Sequence, residues 1–333
     1  MKRLLAIEWL RGFAALSVCI MHFFNASGYF GESDPIFTSF LGKLTLLGRM
    51  GVPIFFVISG FIIPYSMWHG GYTFPEKIRN FLARRFARIE PPYILSIFVC
   101  LIVWYVIRVF VEGGSYAVDW KNILMHLGYL NVIDGEGWIL GVYWTLGVEF
   151  QYYLLISFLF PILFLGTKIR RIVSALVLLG LSFWLSKYVH DGLIFRHIPL
   201  FLAGIFTFQY RENLLDLKWF LFLLLIILAA LSADLGLLNV FSAVFVVVVI
   251  LFNIDIRFKP MYFLGTISYS LYLMHWTFGV DISMRFFKYI LPDISEIGKI
   301  AVVIVCVFIS IPLSYLYYLL IEKPAIRWGK KLK

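Results

Sequence analysis

Residues 219–235 read Trp219-Phe-Leu-Phe-Leu-Leu-Leu-Ile-Ile-Leu-Ala-Ala-Leu-Ser-Ala-Asp-Leu235, and residues 238–253 continue almost purely in Leu, Val, Ile and Phe. Neither stretch alternates with period two, and each approaches the roughly 20 residues with which a helix crosses a bilayer. Backbone groups in lipid must be bonded within their own segment or in a closed barrel, so runs without alternation select the helix. Outward from this pair, similar runs recur at 5–24, 50–68, 92–111, 143–164, 171–187, 193–210, 261–281 and 299–321. Over 333 residues the chain is 62% apolar and 14% charged, well above the roughly 45–50% apolar content of soluble domains. The expected fold class is all-α: a polytopic transmembrane helical bundle of about ten spans. A single domain over 1–333 is expected, without a soluble domain, low-complexity linker or internal repeat.

The net charge of +10 raises the question of a polyanionic partner, and its placement answers it. With the N-terminus in the cytoplasm, the inner segments carry 19 Lys and Arg and the outer segments 7, while Arg11, Arg108 and Arg196 fall within spans. This is the positive-inside bias of a multi-pass membrane protein, so no nucleic acid is needed to explain it. The same count puts both termini in the cytoplasm. The outer connection 112–142 is acidic, with Glu112, Asp119, Asp134 and Glu136 against Lys121. Cys19, Cys100 and Cys306 sit in apolar spans without metal-ligand spacing, which reads as packing. The N-terminus mimics a signal peptide, but Glu8 and Arg11 interrupt its apolar region, so it reads as a retained first span.

Within 112–142, Trp120, Ile123, Leu124, Leu127 and Leu130 fall at helical spacing. This suits a helix lying on the outer membrane surface, with a lid as the alternative. Residues from about 211 to 253 read as scaffold, and the third span is expected to begin at Pro91-Pro92.

Ionisable residues inside spans cost at least about 2.5–3.5 kcal/mol on insertion scales, so they are the best pointers to function. In the first span Arg11 and His22 share one face, roughly 16 Å apart along the axis. Glu8 is placed to pair with Arg11. The second span carries Ser59-Gly60, where a neighbouring helix or a slender ligand can approach closely. In the fourth span Glu149 lies about 9 Å inside the outer boundary, and His275 in the ninth reaches a similar depth. Arg196 and His197 open the sixth span at the outer side. On the inner side Arg84-Arg85-Phe86-Ala87-Arg88 serves topology, or grips a phosphate through Arg85 and Arg88.

Taken together these residues resemble the integral-membrane acyltransferase family 3, whose bacterial members O-acetylate or otherwise O-acylate surface glycans. The resemblance rests on Arg11-x10-His22, on Phe55-Phe56-Val57-Ile58-Ser59-Gly60-Phe61, and on Arg85-x-x-Arg88 followed by Pro91-Pro92-Tyr93. Tyr143-Trp144-Thr145-Leu146 with Glu149, Arg196-His197-Ile198-Pro199-Leu200-Phe201, and Ser268 through His275 complete it. It implies a bacterial inner-membrane enzyme in which His22 is the essential imidazole and Arg11 its partner, while Arg85 and Arg88 contact acetyl-CoA. Some relatives carry an additional soluble esterase-like domain, whereas this sequence ends at Lys333. It is therefore expected to act alone or with separate glycan-synthesis proteins.

The expected mechanism keeps the donor's phosphates at the cytosolic face on Arg84, Arg85 and Arg88, with the pantetheine arm entering beside Ser59-Gly60. His22 then acts in the outer half as general base or as acyl carrier toward a hydroxyl of a glycan or lipid-linked oligosaccharide. Glu149 is expected to orient an imidazole or the sugar, and His275 and Arg196 to line the acceptor site. No metal is called for. The rival reading is a proton-coupled transporter or a flippase for a lipid-linked sugar, since buried His, Glu and Arg also build proton relays.

Overall fold

A computed structural model describes residues 5–26, 47–134, 137–189, 192–254 and 258–332. Lys2, Arg3, Lys43, Glu136, Arg257 and Lys333, used in the charge count above, lie outside them. The described residues form helices joined by short turns, with no strand among them. In chain order these are α1 (Leu5–Ala26), α2 (Gly51–His69), α3 (Ile78–Val106), α4 (Trp120–His126), α5 (Asn131–Asp134), α6 (Trp144–Phe164), α7 (Lys168–Leu185) and α8 (Ile198–Arg211). They continue with α9 (Leu217–Asp234), α10 (Leu237–Leu251), α11 (Lys259–Thr266), α12 (Ser268–His275), α13 (Arg285–Ile290), α14 (Glu296–Tyr317) and α15 (Lys323–Lys331). Side-chain caps mark several starts: Asp119, Thr167, Asp216 and Ser295 each accept a backbone N–H of the following turn.

Among the described residues six helical segments are long and apolar enough to cross a membrane: 5–25, 47–69, 78–111, 141–164, 217–234 and 296–331. All ten stretches read as spans are helical over most of their length, but the others are shorter or interrupted. The stretch 261–281 divides at Ile267 into α11 and α12 and then widens into a π-helical segment, Trp276–Met284. Large apolar side chains such as Ile102, Phe110, Leu225, Phe241 and Phe308 are exposed on the outer faces of the bundle, as lipid contact allows. Cys19, Cys100 and Cys306 are buried and unbridged.

Two glycine-mediated crossings hold the centre. A Cβ on Gly60 would lie 2.1 Å from the carbonyl oxygen of Phe201, and one on Gly204 2.1 Å from that of Val57, so α2 and α8 pack backbone against backbone. Gly12 and Gly265 do the same for α1 and α11, at 2.2 Å from the Met261 oxygen and 2.0 Å from the Glu8 oxygen. Gly60 is thus committed to helix packing and does not line the central cavity, whereas Ser59 does.

The structure corrects two further expectations. The helix bearing the arginine cluster starts at Ile78 and passes through Pro91-Pro92, rather than beginning there. Two prolines withdraw two N–H donors from that turn. Hydroxyls of Tyr269 and Tyr317 donate to the carbonyls of Ile89 and Pro92 and tie the weakened stretch to α12 and α14. The segment 112–142 does not simply lie on the surface either. Trp120, Leu124, Leu127 and Leu130 are exposed on one side, but Tyr129 turns inward, stacks on Tyr93 and donates to Glu90 at 3.0 Å. His126 is fully buried and fixes the fold-back, its Nδ1–H donating to the Asn122 carbonyl at 2.7 Å and its Nε2 accepting the Ile139 N–H at 3.0 Å. The backbone groups of this non-helical turn are thus satisfied within the protein by the His126 ring.

Candidate active site

Three cavities lie in series along the bundle. At the inner end a basic bowl of about 1210 Å³ is walled by α2, α3, α15 and the turn between α2 and α3. A central cavity of about 870 Å³ follows, lined by Arg11, Ser59, Arg85, Arg88, Glu149 and Tyr153 among apolar side chains. An outer cavity of about 840 Å³ contains His22, Arg49, Trp144, His197 and Asn239. Arg85 and Arg88 line both of the first two, while Val52, Phe56 and Tyr272 line both of the last two. The ends assigned to the cytosol from charge surround the bowl, and the ends assigned to the outside surround the outer cavity.

The centre is a compensated charge cluster. The cations of Arg11, Arg85 and Arg88 act on one another and on the carboxylates of Glu149 and Glu322. Glu149 accepts from Ser59 Oγ at 3.2 Å and from the Tyr153 hydroxyl. The Arg85 guanidinium lies over the rings of Phe81 and Tyr153, 5.6 and 5.7 Å from their centroids. Arg11 points into this cavity, which Glu8 does not line. Glu322 stands one residue beyond the apolar run 299–321, where a charge is ordinary in sequence. It is 1% exposed and accepts from the Ser270 N–H at 3.1 Å and from Ser270 Oγ at 2.6 Å.

At the outer end two imidazoles from opposite ends of the chain meet. His22 Nδ1 is 2.9 Å from His275 Nε2, with the rings stacked at 5.1 Å. His275 Nδ1 faces the carbonyl oxygens of Tyr272 at 2.7 Å and Leu271 at 3.1 Å. Carbonyls only accept, so His275 Nδ1 carries a proton, and in the neutral ring Nε2 is left as an acceptor. His22 Nδ1 must then donate to it. This chain of assignments leaves the lone pair of His22 on Nε2, on the half-buried ring that lines the outer cavity. The Trp276 ring meets His22 edge-on at 5.2 Å and limits its rotation.

His275 thus touches His22 and the backbone carbonyls of its own helix. It is fully buried and lines none of the three cavities, so the expected role in acceptor binding does not fit. Nor does Glu149 orient an imidazole, since its partners lie in the central cavity. Arg196 turns away and pairs with Asp234, Nε to Oδ2 at 3.5 Å, and it lines none of the three cavities. Its neighbour His197 lines the outer cavity in its place, between the rings of Trp144 and Phe56, each at 5.3 Å. Asn239, from the stretch read as scaffold, also reaches the outer cavity.

The His22–His275 contact carries a direct prediction. His275→Ala removes the acceptor that fixes the His22 tautomer, a bond worth on the order of 1.5 kcal/mol or about tenfold in rate. His275→Gln can still accept through its amide oxygen and should recover part of that loss. Turnover of the two variants with the donor KM unchanged is the measurement; equal loss in both would leave His275 as packing alone.

Residues 4–319 match the family model described as an acyltransferase domain. The acyltransferase MdmB of Streptomyces mycarofaciens is 29% identical over 157 residues, which is 46% of this chain and 38% of that protein. The O-acetyltransferase OatA of Staphylococcus aureus is 24% identical over 373 aligned positions, 98% of this chain and 57% of that protein. The chain thus spans little more than half the length of the latter. No solved structure matches it.

Proposed function

We propose, from the premise that this chain belongs to the acyltransferase domain family, that it moves an acyl group from cytosolic acyl-CoA to a glycan hydroxyl outside. The donor in its simplest form is acetyl-CoA, and the acceptor is an exopolysaccharide, another surface glycan or its lipid-linked precursor. The observation that carries this reading is the series of cavities, with five cations among the described residues at the inner end and His22 in the wall of the outer one. A donor with anionic phosphates and an uncharged, slender arm suits that gradient, because only the arm leaves water. The O-acetyltransferase relative supports an oxygen acceptor and an acetyl group.

The chemistry then follows from the tautomer. His22 Nε2 removes the proton of the acceptor hydroxyl as its oxygen attacks the thioester carbonyl. The C–S bond breaks, the new C–O bond closes, and the imidazolium returns its proton to the departing thiolate. His275 shares the charge on His22 through the Nδ1–Nε2 bond while this lasts. Arg11, Arg85 and Arg88 hold the donor, and Glu149 with Ser59 and Tyr153 keeps the central wall polar where the amides of the arm pass.

Purified protein in vesicles, given acetyl-CoA labelled in the acetyl group and a glycan acceptor, tests the reading. Label on the acceptor is the expected result. Label or glycan accumulating in the vesicle lumen without transfer would favour a transporter instead.

Orientation has its own test. The native cysteines are buried, so single cysteines at the exposed positions Glu76 and Gly137 can be read with a membrane-impermeant thiol reagent. In intact cells the Gly137 site should label and the Glu76 site should not. The reverse pattern would put His22 on the cytosolic side.

A further inference from the structure

The charges of the C-terminal segment were assigned above to topology, but the fold brings one of them into the basic bowl. Helix α15 packs directly on the arginine-bearing turn of α3. A Cβ on Gly329 would lie 3.1 Å from the Arg84 carbonyl oxygen and 3.5 Å from the Ala87 Cβ. Arg84 Nε donates to the Leu332 carbonyl at 2.9 Å. This close seat puts Ile326, Gly329 and Lys330 in the wall of the bowl, opposite Lys77, Arg84, Arg85 and Arg88. Among the described residues five cations line that wall and no carboxylate does; Arg85 and Arg88 are near Glu149 and Glu322 of the central cluster, which leaves Lys77, Arg84 and Lys330 as the cations that face the bowl alone.

The cations fall into two sets. Arg85 and Arg88 also line the central cavity, whereas Lys77, Arg84 and Lys330 line the bowl alone. In acyl-CoA the pantetheine arm leaves the diphosphate, and a separate phosphate stands on the ribose 3′ oxygen. With the arm in the central cavity, the diphosphate must sit beside Arg85 and Arg88. The ribose and its 3′-phosphate are then left to the outer set.

We propose that α15 completes the donor site and that Lys330, with Lys77 and Arg84, recognises the 3′-phosphate of the donor nucleotide. This rests on the acyl-CoA reading above and adds to it a discrimination between CoA and nucleotides that lack that phosphate. Lys77 is held at the rim by donating to the Gly71 carbonyl at 2.6 Å, and Arg84 by the Leu332 bond, so two of the three cations are positioned before the ligand arrives.

The test is calorimetric titration of the detergent-solubilised full chain with CoA and with 3′-dephospho-CoA, at low and at high salt. The wild-type protein should bind CoA about tenfold more tightly than 3′-dephospho-CoA, as a charge-assisted contact implies, and the gap should narrow with salt. Lys330→Ala should weaken CoA by about fivefold and leave 3′-dephospho-CoA unchanged. Gly329→Leu, which pushes α15 off α3 while keeping Lys330, should do the same. Equal affinity of the wild type for both ligands, or an equal loss for both in Lys330→Ala, would overturn the proposal while the donor reading stands. Binding of neither ligand to the wild type would overturn both.

Discussion

His22→Ala should lower acyl transfer by about 10²–10⁴, the usual cost of removing a general base, while the protein accumulates in the membrane at its normal level. The expectation of normal folding follows from the ring's setting. His22 is half-buried at a cavity wall, and its loss leaves His275 Nε2 as one unsatisfied acceptor. His275 keeps its carbonyl partners, Tyr272 and Leu271. Donor affinity should also be retained, since the cations proposed to hold the phosphates lie in the other two cavities. The measurement is labelled acetyl transfer alongside CoA binding on the same preparation. Near-native turnover in His22→Ala would falsify the assignment of Nε2 as the base.

Arg85→Lys/Arg88→Lys should cost at least tenfold in affinity for acetyl-CoA and leave the acceptor KM about the same. The change keeps both positive charges, so positive-inside insertion should survive. What it removes is the planar fork that holds a phosphate through two parallel bonds. Each charge-assisted bond is worth about 1.5–3 kcal/mol, so the double alanine variant should lose about 10² or more and the lysine variant less. Arg85 has a further reason to resist replacement. Its guanidinium is held over Phe81 and Tyr153, and an ammonium on a flexible stem does not reproduce that stacking. Donor binding at two ionic strengths reads this directly, because phosphate contacts weaken with salt. Unchanged affinity in the lysine variant would mean that the cluster serves insertion only.

The sequence carried the nature of this protein and the list of its polar intruders, but not their partners. Arg11, His22, Glu149 and His275 stood out because each is ionisable within an apolar run, a property that needs no neighbour to be seen. Glu322 and Lys330 were missed because both lie beyond the end of the last run, where a charge is ordinary. Gly60 was read together with Ser59, yet the two separate: Ser59 faces Glu149 and Gly60 faces the backbone of Phe201. Arg196 and His197 separate in the same way, one to Asp234 and the other to the outer cavity. Consecutive residues on a helix point about 100° apart, so which of two neighbours meets the site depends on the rotation of the whole helix.

By itself, then, the sequence determined that the chain is a helical membrane protein, where its ionisable residues interrupt the apolar runs, and which family its motifs resemble. These are local properties, set by the transfer of single side chains and backbone groups into lipid. Only the tertiary structure decided that His22 is held by a histidine 253 positions away, that Arg85 and Arg88 join two cavities, and that the C-terminal helix closes the basic bowl. Those contacts follow from how helices seat against one another through Gly12, Gly60, Gly204, Gly265 and Gly329. That seating is a sum over many van der Waals contacts between distant segments, and no one segment of the chain encodes it.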